Sequence, residues 1–95
     1  MKHDTAQIRF VARKIQNCAL SVSDVSTREV RPLRERVLSE FEGEAANALT
    51  ARLEALQGDV EKLGKGIDSV YRELMSYARR LEIADEQSKM AIQNK

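Results

Sequence analysis

From Ala46 to Ala91, small and apolar residues recur at alternating steps of three and four without a slip. The run is Ala46, Leu49, Leu53, Leu56, Val60, Leu63, Ile67, Val70, Leu74, Tyr77, Leu81, Ala84, Ser88 and Ala91. This is a heptad seam with a mean period of 3.5, the signature of a helix packed along its length against other helices. Sustained over roughly six heptads, it predicts one continuous helix about 65–70 Å long, over residues of about 45–90. With Ala46 as position a, Leu49 is d, and the same two letters alternate to the end of the run.

The two flanks of the seam differ. On the g side lie Arg52, Asp59, Glu73 and Arg80, all charged, with Gly66 among them. On the e side lie Thr50, Gly64, Tyr71, Ala78 and Ile92, small or semi-apolar, with Gln57 as the polar exception. Apolar character at a, d and e together describes a helix inside a bundle, because a two-stranded coiled coil needs only the narrower a/d stripe. Gly58, Gly64 and Gly66 each cost about 1 kcal/mol relative to alanine in a helix interior. Gly64, on the e side, is the one placed to allow close backbone approach.

The first half carries the same spacing at Ile8, Val11, Ile15, Cys18, Val22 and Val25, widened on its e side by Ala12, Ala19 and Ser26. Phe10 and Leu20 fall off this stripe and are candidates for a second contact surface. The register then fails, since the next seam positions would be Glu29 and Pro32. Apolar residues resume out of phase at Val30, Leu33 and Val37. Proline lacks an N–H and its ring clashes with the carbonyl four residues back. The expectation is a first helix over about 4–38 with a kink or break near 26–32.

Residues of about 39–44 form the connection. Ser39-x-x-Glu42 has capping-box spacing, Glu42 and Glu44 suit the positive end of a helix dipole, and Gly43 permits angles other residues resist. A short connection makes two long helices antiparallel neighbours. The fold class is therefore all-α: a single antiparallel two-helix hairpin over residues 1–95. Two helices alone bury little, and small chains often make up the deficit by oligomerising. Two such hairpins would pair into a four-helix bundle. The pairing residues are expected to be Leu49, Leu53, Leu56, Val60, Leu63, Ile67, Val70 and Leu74, with Ile8, Val11 and Ile15.

Composition narrows the function classes. Charged residues make up 33% of the chain yet sum to a net charge of only +1, with the two signs interleaved. A nucleic-acid partner would call for a basic excess, and Glu29 and Glu35 dilute the nearest basic run, Arg28 to Arg36. The single Cys18 can form no internal disulfide, and its place on the apolar stripe suits a small buried hydrophobe. One His, His3, and one Cys cannot build a zinc site, so no metal or other cofactor is expected. Lys65 between Gly64 and Gly66 lies mid-helix without the remainder of a phosphate-loop pattern. No catalytic constellation emerges, and the expectation is a non-enzymatic protein. No apolar stretch approaches the length of a membrane span, and no apolar run follows Met1 and Lys2 as in a cleavable signal peptide.

The block Phe41-Glu42-Gly43-Glu44-Ala45-Ala46 resembles the turn of the WXG family, the early-secreted-antigen-like small proteins of type VII secretion. In that family a Trp-x-Gly turn joins two helices, often closely followed by two alanines. Gly43, Ala45 and Ala46 match, and Phe41 stands in place of Trp. The length, the hairpin and the long Leu-rich second helix are also similar. Near the C-terminus the family often carries Tyr-x-x-x-Asp/Glu, an export signal; here Asp85 matches and Leu81 replaces the tyrosine. The resemblance implies pairing as an antiparallel homodimer or as a heterodimer with another helical hairpin, and secretion without a cleavable signal peptide after synthesis in the cytoplasm. It also implies engagement of the secretion machinery, with the N-terminal helices of a larger toxin as one conceivable partner. The departure at Leu81 points toward a partner that completes the signal. The competing class is an intracellular coiled-coil scaffold or export chaperone unrelated to type VII secretion.

Overall fold

The computed structural model describes residues 4–93. Helix α1 spans Thr5–Asp24, a π-helical turn spans Val25–Val30, α2 spans Arg31–Glu40, and α3 spans Glu44–Gln93. The described residues form no strand. α1, the π turn and α2 run as one arm, and α3 returns antiparallel along it. The rod measures 79 × 15 × 14 Å, as expected when a 50-residue helix rises about 1.5 Å per residue.

Local chemistry sets the ends. The Asp4 carboxylate caps α1 by accepting from the Gln7 N–H at 3.1 Å. α2 runs two residues beyond the expected boundary, and the connection is only Phe41, Glu42 and Gly43. Phe41 is extended, with φ −127° and ψ 150°, and its N–H still donates to the Val37 carbonyl at 3.0 Å. Gly43 has φ +95°, a left-handed conformation that favours glycine. Its carbonyl accepts the Asn47 N–H at 3.1 Å and so opens α3. The capping box expected at Ser39 is not formed: Ser39 lies in the last turn of α2, where its hydroxyl donates to the Arg36 carbonyl at 3.0 Å. Glu44, in the first turn of α3, does meet the positive end of the dipole.

The expected kink or break takes the form of the π turn. The Arg31 N–H donates five residues back, to the Ser26 carbonyl, so this stretch holds one more residue per turn than an α-helix. Pro32 follows directly, in the first turn of α2, where a missing N–H costs least. The extra residue also rephases the arm. Position a falls on Val30 and Val37, both buried, in place of Glu29 and Arg36, both exposed.

The hairpin seam is rotated from the expected one. The covered positions of α3 are a (Ala46, Leu53, Val60, Ile67, Leu74, Leu81) and e (Thr50, Gln57, Gly64, Tyr71, Ala78, Asp85), each buried or half-buried. On the other arm they are Ile8, Ile15 and Val22 with Ala12, Ala19 and, in the π turn, Ser26. The expected a/d seam therefore divides. Its a half faces the other arm, while its d half is exposed: Leu49, Leu56, Leu63, Val70 and Tyr77 on α3, and Val11, Cys18 and Val25 on the other arm. Side-chain size explains the choice. The small e residues Gly64 and Ala78, with Ala12, Ala19 and Ser26 on the other arm, let two backbones approach closely, as ridge-into-groove packing at short axial distance requires. At Gly64 an added Cβ would sit 2.9 Å from Ser23 Oγ and 3.6 Å from the Ala19 carbonyl oxygen. A leucine at every e position would hold the arms apart.

Candidate pairing surface

The inner seam satisfies itself. Val37, Ala46 and Leu53 form the buried cluster nearest the turn. Farther along, a polar layer crosses the seam beside the π turn. Arg34 Nη1 donates to Gln57 Oε1 at 3.0 Å, Ser26 Oγ donates to Glu61 Oε1 at 3.2 Å, and Gln57 Nε2 donates to the same Glu61 oxygen at 3.4 Å. Thr50 returns its hydroxyl to the Ala46 carbonyl at 2.8 Å. No buried side-chain polar atom among the described residues lacks a partner. Such a layer fixes register, because sliding the arms would strand its members. At the open end Arg9 grips the Glu82 carboxylate with two nitrogens, one of them at 3.3 Å. That hydrogen bond lowers the Glu82 carboxyl pKa below its ordinary value and raises that of Arg9.

The outer surface does not satisfy itself. Leu53, at a, is 8% exposed, whereas Leu63, at d, is 57% exposed. Every d position of α3 from Leu49 to Tyr77 is a large apolar residue left open. The other arm adds Val11, Cys18 and Val25, and after the rephasing Leu33 takes the next d position. Both arms use a and e inward. Reversing the chain direction reverses both the sense of rotation and the facing direction, so the two d stripes lie on the same side of the hairpin. The result is one flat, two-lane apolar face bordered by the g residues.

Sequence reasoning named Leu49, Leu56, Leu63, Val70 and Val11 as pairing residues, and these lie on the outer face. Leu53, Val60, Ile67, Leu74, Ile8 and Ile15, named with them, belong to the inner seam. Val25, Cys18 and Tyr77 were visible on the same stripe, while Leu33 could be placed only once the π turn was known. Phe41 is 59% exposed at the turn tip, which sets it outside the hairpin core. Leu81 and Asp85 are half-buried at a and e.

The opposite side carries an open crevice of about 550 Å³ lined by Leu20, Gly64, Lys65 and Arg72 among others. Arg72 there is ion-paired with Asp68 at 2.9 Å, and only Leu20 offers a large apolar group. Among the described residues no three His, Cys, Asp or Glu side chains are grouped to hold a metal ion, and no helix is long and apolar enough to cross a membrane. His3 lies outside the described residues. Compared with protein-family models, curated proteins and solved structures, the chain matches none.

Proposed function

We propose that this chain is a non-enzymatic helix-pairing protein of type VII secretion, a substrate or a secretion partner, whose outer face packs on another helical hairpin to form a four-helix bundle. The observation that carries the pairing is the open d stripe beside an inner seam that is already closed. An apolar face of this continuity marks an interaction site, and helix-on-helix packing is the usual way to bury one. The type VII setting is supported by the tight Phe41-Glu42-Gly43 turn with its glycine at positive φ, followed by Ala45 and Ala46.

The partner hairpin could be a second copy or the N-terminal helices of a larger exported toxin. Leu81, an inner-seam residue, stands in place of the expected tyrosine, so the signal within this chain rests on Asp85, and only a hairpin of different sequence would complete it. In the native host the chain is expected in the culture medium. Asp85→Ala should abolish its appearance there while leaving the helical signal and the solution mass unchanged. Retention of the wild-type chain in the cytoplasm would favour the alternative, an intracellular scaffold or export chaperone.

A further inference from the structure

We propose that the rod is hinged at mid-length, where the π turn of one arm stands level with the glycines of α3, and that it bends there toward the open crevice. This goes beyond the pairing reading and does not rest on it. Contacts across the seam fix the level: Ser26 donates to Glu61, Arg34 donates to Gln57, and Gly64 lies against Ser23 and Ala19. The turn Val25–Val30 therefore faces the stretch of α3 from Gln57 to Glu61. Gly58 lies inside that stretch, and Gly64 and Gly66 follow within two turns.

Each arm is weakest at this level. In the first arm the π turn widens the ladder, and the Arg31 N–H reaches five residues back. Pro32 comes next and supplies no N–H, so one backbone bond is missing across the junction. The Thr27 hydroxyl donates to the Ser23 carbonyl at 3.1 Å, a back-bond of the kind that bends helices because the carbonyl is shared with a side chain. In α3, three of the four glycines of the chain fall between residues 58 and 66. Glycine is the poorest helix former after proline. Close approach explains it at Gly64. At Gly58 and Gly66 an added Cβ would meet nothing within 4 Å, so packing requires neither. A bend point opposite the π turn accounts for both, since helices kink at such turns, at proline and at glycine.

The contacts that cross the seam here are exchangeable. The Ser26–Glu61 and Arg34–Gln57 hydrogen bonds can be traded for bonds to water at small net cost, and Glu61 is exposed. Toward the open end the arms are held by the fully buried Ala12 and Ala78, and toward the turn by Val37, Ala46 and Leu53. Each half is thus stiffer than the junction. The direction of bending follows from the room available. The crevice of about 550 Å³ opens beside this level, between Leu20 and Ser23 of α1 and Gly64, Lys65 and Arg72 of α3. It lies on the flank of positions b and f, opposite the d stripe, and Gly58 at f leaves that flank without a side chain to compress. Closing the crevice makes the outer face convex. The face then divides into two angled panels, with Leu33, Leu49 and Leu56 on the turn side and Cys18, Leu63 and Val70 on the other.

The test measures the distance between spin labels at Ala51→Cys and Arg79→Cys in the full chain carrying Cys18→Ala. Dilution with unlabelled chain confines the reading to one molecule. Both sites are exposed f positions on the crevice flank and lie 28 residues apart, which is about 42 Å along a straight helix. A bend of roughly 30° toward that flank shortens the separation by about 5 Å, so pulsed electron paramagnetic resonance should show a broad distribution extended to the short side. Labels at Ser69→Cys and Ile83→Cys, both within one half, should give a single narrow distance. Gly58→Ala with Gly66→Ala should sharpen the 51–79 distribution toward its long limit, and the open space at both positions lets that variant fold. A narrow 51–79 distribution in the chain with its glycines overturns the hinge. Equal breadth for the two label pairs also overturns it, because the flexibility is then spread along the helix. A broad distribution that the two alanines leave unchanged takes the glycines out of the hinge and overturns the proposal.

Discussion

The glycines of α3 separate by what surrounds them. Gly64 closes the seam against Ser23 and Ala19, whereas nothing lies within 4 Å of a Cβ built at Gly58. Replacing a helical glycine by alanine recovers up to about 1 kcal/mol of helix propensity. Gly58→Ala should therefore stabilise the chain by about 0.5–1 kcal/mol, raising the melting temperature by several degrees. At Gly64 the hydroxyl of Ser23 can swing away from a methyl group, so alanine is tolerated there. A leucine cannot be placed without separating the arms, and Gly64→Leu should destabilise by about 1–3 kcal/mol, the usual cost of overpacking. Parallel thermal melts of the variants check the contrast; equal effects at the two positions would mean that Gly64 is not a closure point.

At the scale of the element, the π turn is what lets one arm keep two stripes in phase. Val30 and Val37 remain inward and Leu33 outward because Val25–Val30 absorbs one extra residue. Removing a residue from an ordinary helix rotates everything beyond it by about 100° and destroys the seam. Here deletion of the exposed Thr27, combined with Pro32→Ala to remove the ring that an α-turn would clash with, should convert the π turn to α without rotating either half. Circular dichroism should show full helicity and an unchanged or raised melting temperature. A molten chain would mean that the polar layer at Ser26, Arg34, Gln57 and Glu61 needs the wider turn. Deleting Ala55 from α3 is the matched control and should unfold the hairpin.

At the scale of the whole molecule, packing runs along the rod and an ion pair is added at its open end. The turn end is closed by covalent connection and the Val37, Ala46 and Leu53 cluster; toward the open end Ala12 and Ala78 are fully buried, and Arg9 pairs with Glu82. Because its folded carboxyl pKa is lowered by the Arg9 hydrogen bond, Glu82 contributes stability that is fully present above the ordinary carboxylate pKa. That contribution is lost as pH falls through the lowered value. Arg9, shifted upward, stays charged throughout. The difference in melting temperature between wild type and Glu82→Gln should thus be largest near neutral pH and vanish in strong acid. A difference that persists in acid would mean that the end is held by packing. No large side chain among the described residues is fully buried, so this rod gains from every lateral contact it makes.

Helicity, arm lengths to within a few residues, the Gly43 turn and the presence of a wide apolar stripe were all determined by the sequence, because 3.5-residue spacing and glycine chemistry are local properties. Which two of the three apolar columns would close the hairpin was not local. Positions a, d and e all read as buried, and only the close approach at Gly64, Ala19 and Ser23 assigned the small e column inward and the leucine-rich d column outward. The π turn was legible as a fault at Glu29 and Pro32, but its form depended on both halves of the arm packing against one straight α3. The pairing face was thus written in the sequence as excess apolarity, and the tertiary structure decided its location, because two helices in contact can cover only one side of each.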